Sequence, residues 1–329
     1  MRNIAIVRRN GLGDLLCTVP LIYYLREHFP EDKITLFVDA RNAPLVPYLS
    51  PLDEVVAFPK SGNKYWNLGK LAWKWRSKKF DVAISTKLPP MKLMNFFLFL
   101  LGAKQSLAVV DNKWHGKLIN TPIHFDPTRY RNVHEAVRVL RLVAPEVDEV
   151  PLKYYPKITI PQSVESLYGL KSPFIGPPRM LISATTTLLS NRLEADHYAQ
   201  MVNRLAGKMS FSVILVAQKE DKMRAEEIGR SLKVPFEMHF PRNFDAFMVL
   251  LNSCDLYFVG DGGIAHIGAA LGKKMVVLFG ESSPHEWHPL SSEATCFYHS
   301  ESVNCIPDEK IITTLEQKLT EVIRGRNSL

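Results

Sequence analysis

Twice in this chain a short apolar run ends in a glycine turn that opens straight into a helical pattern, and this junction restricts the possible folds more than any other feature. The first is Ile4-Ala5-Ile6-Val7, then Arg8-Arg9-Asn10-Gly11-Leu12-Gly13-Asp14, then Leu15, Leu16, Val19, Leu21 and Ile22 in a helix. The second is Leu256-Tyr257-Phe258-Val259, then Gly260-Asp261-Gly262-Gly263, then Ile264, Ile267, Gly268 and Leu271 at helical spacing before Gly272 stops the helix. Strands are expected at 3–8, 33–38, 54–58, 80–84 and 104–110, and again at 180–183, 212–216, 256–259 and 275–279. Helices are expected near 194–207, 220–232, 243–252, 263–271 and 309–323. Short strands alternating with helices imply doubly wound parallel sheets. At 329 residues the chain exceeds what one compact core holds, so two α/β domains of about 150 residues are expected. The boundary is set at 1–165 and 166–329, within a proline-rich stretch from Pro145 to Pro178.

The second turn reads as a phosphate site. The first N–H groups of a helix lack internal partners and the helix dipole places partial positive charge there, which favours an anion. Gly262 and Gly263 let a ligand approach the backbone, and His266 in the first turn can add a hydrogen bond. Asp261 either caps the helix or contacts a sugar; a capped helix with a core histidine fits the same pattern. The first turn resembles a dinucleotide fingerprint, but Leu16 stands where Gly11-x-Gly13 requires a third small residue, which argues against a nicotinamide dehydrogenase. It offers instead Asp14, a carboxylate at a helix start, as a general base or as a charge that satisfies the dipole.

Residues 1–165 hold 24 Lys/Arg against 15 Asp/Glu, a charge of +9, whereas residues 166–329 hold 17 against 18. A basic first half suggests an acidic partner, and the lack of zinc spacing, RNP-like motif or basic recognition helix argues against nucleic acid. Residues 64–79, KYWNLGKLAWKWRSKK, interleave aromatics with positive charge, as an interfacial membrane helix or an ordinary amphipathic surface helix does. The apolar run from Met91 to Leu101 is too short to span a bilayer and is expected as a buried helix. Met1 leads directly into a predicted core strand, so a cytoplasmic protein is expected. Cys17, Cys254, Cys296 and Cys305 show no metal spacing; reduced thiols are the default, with Cys296 and Cys305 the one pair left open.

Read with Thr18-x-Pro20 after the first turn and Leu278-Phe279-Gly280 after the second, the two motifs resemble the bacterial glycosyltransferase family that includes the ADP-heptose:lipopolysaccharide heptosyltransferases. The resemblance implies a GT-B architecture, two Rossmann-like domains facing across a cleft, with acceptor on the first and nucleotide-sugar on the second. It implies an inverting transfer with no metal or other cofactor, Asp14 as base, and an anionic glycolipid acceptor reached at the cytoplasmic face of the inner membrane. Donor phosphates fall to Asp261, Gly262, Gly263 and His266, with Thr186, Thr187 and Arg192 from the segment Ser183–Leu193. Acceptor-side candidates are Asn10, Gly11, Gly13 and the cations Arg8 and Lys64, with Arg9, Lys60 and Lys87 also placed in loops. Three features depart from the family pattern: Asn191-Arg192-Leu193 leaves Arg192 as the only nearby cation expected, Gly262 replaces a usual threonine, and Glu281 replaces a usual small or proline residue. Another nucleotide-sugar or acceptor, a sugar-nucleotide epimerase of similar architecture, and a non-catalytic sugar-nucleotide binder are the alternatives.

Overall fold

The computed structural model describes residues 1–49, 52–168, 176–186 and 188–327. They form two units, Met1–Pro156 and Lys157–Leu329. The expected division after residue 165 is corrected to Pro156/Lys157. The reason is local: Ile158 N donates to Ala270 O at 2.9 Å, and Asn252 Nδ2 donates to Glu165 Oε1 at 3.0 Å, which ties this stretch to the second unit.

The first unit contains strands β1 Asn3–Arg8, β2 Lys33–Asp39, β3 Glu54–Phe58, β4 Val82–Ser85, β5 Gln105–Val110 and β6 Thr121–His124. They lie in the order β3-β2-β1-β4-β5-β6, all parallel. The second contains β7 Arg179–Ser183, β8 Ser212–Val216, β9 Phe236–His239, β10 Leu256–Gly260, β11 Lys274–Phe279 and β12 Ala294–Tyr298, in the order β12-β11-β10-β7-β8-β9, again all parallel. Each sheet thus starts in its middle, runs to one edge, and returns to build the other half, the Rossmann order.

Central strands are buried on both faces and read as continuous apolar runs: Ile4, Ala5, Ile6 and Val7 are each at most 1% exposed. Phe37 on β2 meets Phe97 and Trp75 edge-on, with ring centroids 5.3 and 5.6 Å apart, and so welds two helices to the first sheet. In the second, Phe258 meets Tyr198 at 5.1 Å. Gly268 lets its helix settle on β10, since a Cβ there would lie 2.6 Å from the Tyr257 ring.

The expected helices appear as Ala195–Ala206, Lys222–Ser231, Phe244–Asn252, Gly263–Ala270 and Asp308–Asn327. The run from Met91 forms the helix Lys92–Leu101, which buries Met94, Phe97, Leu98 and Leu101 and stops at Gly102 with φ +65°. Three strands, β6, β9 and β12, are not predicted by the sequence pattern. All three are edges or half-exposed, and β6 contains Pro122, which an edge tolerates because one side of the strand needs no ladder donor. Among the described residues no helix is long and apolar enough to cross a membrane.

Candidate active site

In the first unit the strand order reverses between β1 and β4, and open α/β sheets bind ligands at the carboxyl ends flanking such a reversal. Arg8 ends β1 there and turns inward, 1% exposed. It donates from Nη1 to the Thr86 carbonyl beyond β4, and from Nη2 both to Asp14 and, at 2.9 Å, to Glu135 Oε1. Burial works against the Arg8 charge, but the Glu135 and Asp14 carboxylates outweigh it and its pKa is raised. Burial pushes the Glu135 carboxyl up against the pull of Arg8 and Arg138. This corrects the assignment of Arg8 to a loop facing the acceptor: it is a buried brace that holds Asp14.

Asp14 is fixed at both oxygens, by Arg8 and by Gly11 N at 3.1 Å, yet its side chain stays 18% exposed. Gly11 is the N-cap of the helix Leu12–Leu16, which contains Gly13; Asn10 before it has φ +95°, and its N donates to Asp39 Oδ2 at 2.7 Å. Arg9 Nε meets the same carboxylate at 3.0 Å. Lys87 is half-buried beside this turn; burial lowers its pKa while Asp14 opposes the shift, which makes it the loop cation in Asp14's field. Lys64 instead opens the helix Lys64–Arg76 behind β3, with its ammonium 5.5 Å from the Tyr65 ring. Glu135 was missed because a glutamate in the first turn of a helix is an ordinary dipole-satisfying residue, and its partner lies 127 residues away.

The second unit reverses between β7 and β10, and the Gly260–Gly263 turn and the Ser183–Arg192 segment leave those strands. The helix Gly263–Ala270 has Gly262 as N-cap at φ +157°, a region open mainly to glycine, and no side-chain cap. A Cβ built on Gly262 meets nothing within 4 Å among the described residues. The N-cap is thus Gly262 rather than Asp261, whose Oδ2 accepts from Ser282 Oγ at 2.7 Å. His266 is buried in the first turn, 6% exposed. Asn191 locks the neighbouring loop: its Oδ1 accepts from Gly280 N at 2.7 Å and its Nδ2 donates to Ser282 Oγ at 2.9 Å. The fit admits only glycine, since a Cβ on Gly280 would lie 2.2 Å from Ser190 O and one on Gly260 2.6 Å from Asn191 O.

Thr186 Oγ1 is buried and has no hydrogen-bond partner among the described residues. Thr187 lies outside the described residues. Arg192 Nη2 reaches Asp221 Oδ1 at 3.4 Å. It is not alone: Arg224, from the helix Lys222–Ser231, donates Nε to Ala184 O at 3.0 Å and Nη2 to Leu193 O, which braces both ends of the loop. Burial lowers the Arg224 pKa. Glu281 is exposed, beside Ser190.

Burial raises the Asp261 pKa to about 6, with Ser282 and the Gly262 N–H pulling the other way. A carboxyl raised on folding stabilises most below its unfolded pKa, and that contribution is lost as pH rises through 6. Asp261→Asn is therefore expected to raise the stability of the ligand-free protein at pH 7.5 by about 2 kcal/mol and to flatten its pH dependence between pH 4 and 7. Melting temperature against pH for both proteins checks this; parallel curves would refute it.

Residues 72–318 match the profile of Glycosyltransferase family 9 (heptosyltransferase). Lipooligosaccharide heptosyltransferase 2 of Haemophilus influenzae is 23% identical over 319 residues, covering 89% of this chain and 87% of the relative. Among solved structures, a family 9 glycosyltransferase from Veillonella parvula superposes with a TM-score of 0.83 at 17% identity, over 97% of both chains. The ADP-heptose lps heptosyltransferase II of E. coli gives 0.79 at 19% identity, over 98% of this chain and 99% of that one. The fold is thus shared along the whole chain, with the two Rossmann-like domains of the GT-B class. A braced carboxylate and a helix start with a glycine N-cap, each at the switch point of its own sheet, now stand beside a profile match over most of the sequence: the chain belongs to glycosyltransferase family 9 and is a glycosyltransferase.

Proposed function

We propose that the protein catalyses inverting, metal-independent transfer of a heptose from ADP-heptose to an inner-core lipopolysaccharide or lipooligosaccharide acceptor. The observation that carries the reading is the open start of the helix Gly263–Ala270 at one switch point, with Asp14 anchored at the other. Asp14 takes the proton of an acceptor hydroxyl as its oxygen attacks the anomeric carbon. The bond from that carbon to the diphosphate oxygen breaks, and the nucleoside diphosphate leaves with the electron pair. Its growing charge meets the N–H groups and dipole at Gly262 and Gly263, with His266 beside them, so the step needs no metal. The names of the relatives support the heptose and the lipopolysaccharide acceptor.

The acceptor side of this reading includes peripheral contact with an anionic membrane. The helix Lys64–Arg76 buries Leu68 and Ala72 and exposes Trp66 (64%) and Trp73 (81%) among Lys64, Lys70 and Lys74. Exposed tryptophans flanked by lysines suit the headgroup boundary of a bilayer.

Titration calorimetry with ADP, UDP, GDP, CMP and NAD, each with and without magnesium, tests the donor assignment. Selective, magnesium-independent ADP binding is expected. A preference for UDP or GDP overturns the ADP-heptose assignment while keeping a transferase, and binding that requires magnesium overturns the metal-free mechanism.

A further inference from the structure

We propose that His299, Glu301 and Cys305 form a binding site for a divalent cation of the zinc class. The three occupy one short loop that leaves the carboxyl end of edge strand β12, and one ligand atom from each lies within 4.8 Å of the others. An imidazole, a carboxylate and a thiolate are the donors zinc accepts, and magnesium or calcium sites would not recruit the sulfur. Tetrahedral zinc with bonds of about 2.0–2.3 Å places ligand atoms about 3.3–3.8 Å apart, so closure requires movement of roughly 1 Å. Glu301 and Cys305 are exposed and can supply it by rotation. Three protein ligands leave a fourth position for water.

The loop is built in advance of the ion. His299 N donates to Phe279 O at 3.0 Å, Val303 is fully buried, and Ser302 caps the 3-10 turn Val303–Cys305 through Asn304 N. One bond would be given up: Glu301 N donates to His299 Nδ1 at 3.3 Å. A cation at Nδ1 displaces it, and a cation at Nε2 puts the proton on Nδ1 and ends its acceptance. That bond is long, so its loss costs little. Cys305 is a free, exposed thiol, whereas Cys296 is half-buried with its pKa pushed up by burial to about 12; both thiols are free, which closes the disulfide option left open by the sequence.

The consequence lies in Asn304, which sits inside the ligand loop. Its Nδ2 donates to Arg192 O at 3.1 Å and its Oδ1 accepts from Glu194 N at 2.8 Å. Clamping the loop therefore clamps the segment that carries Arg192, whichever nucleotide the protein takes.

The test is a Co²⁺ titration of the reduced, chelator-stripped protein. A thiolate-to-cobalt band in the near ultraviolet is expected, saturating at about one equivalent and displaced by Zn²⁺. Cys305→Ser should abolish the band, and Glu301→Gln should weaken binding about tenfold or more. Zn²⁺ should slow amide exchange at 299–305 and at Glu194. Both substitutions fall on exposed side chains, so melting curves will show the variants folded. Absence of the band, or its survival in Cys305→Ser, overturns the proposal; exchange that slows at 299–305 and not at Glu194 overturns the coupling to Arg192.

Discussion

Asp14→Asn is expected to leave a folded protein with unchanged nucleotide affinity and a kcat for transfer reduced about 10²–10⁴-fold, the usual worth of a general base. Folding should survive because the amide oxygen can still accept from Gly11 N, and Arg8 keeps Glu135 at 2.9 Å. Loss should appear in kcat and kcat/KM together, since proton removal occurs only in the transition state. Steady-state kinetics, melting temperature and calorimetry with the nucleoside diphosphate separate the cases. Full turnover in the variant would remove Asp14 as the base. Loss of nucleotide binding along with turnover would reduce it to a structural anchor.

The central architecture was legible because each domain writes one inner strand as an uninterrupted apolar run that ends in a glycine turn. Ile4–Val7 and Leu256–Val259 are buried on both faces, so local composition alone marks them. Edge strands β6, β9 and β12 carry no such signal, because half of each faces outward and its residues read as loop. The site divides in the same way. Asp14, Gly262 and Gly263 are tied to the backbone geometry of their own turns, which the sequence displays. Arg8 has the same local context as Arg9, yet one is 1% exposed and the other pairs with Asp39 at the surface of the turn. What separates them is Glu135, contributed from 127 residues away, and no local pattern reports a partner at that range. Arg224 and Asn191 escaped for the same reason: their roles are hydrogen bonds to the backbone of distant segments.

The largest stability effect is expected from the guanidinium that joins those segments. Arg8→Met removes the donor to Thr86 O and to Asp14, and leaves Glu135, 1% exposed, with Arg138 at 3.6 Å as its remaining ion-pair partner among the described residues. Breaking a buried pair on one side costs about 3–5 kcal/mol, and Arg138 should hold the loss near the lower figure. The pH dependence identifies the cause. Burial already raises the Glu135 pKa in the wild type, and Arg8 is the chief force opposing it, so the variant must raise it further. A carboxyl with a raised folded pKa stabilises fully below its unfolded value and loses that contribution as pH rises through the folded one. The deficit of Arg8→Met should therefore be smallest near pH 4 and should widen toward pH 7.5. Adding Glu135→Leu should recover most of the neutral-pH loss, because replacing both members of a buried pair with apolar groups removes the unpaired charge. Urea unfolding of the wild type, Arg8→Met and the double variant at pH 4.5 and 7.5 measures each term. A deficit equal at both pH values, or a double variant no more stable than the single one, would show that Arg8 acts through packing rather than through Glu135.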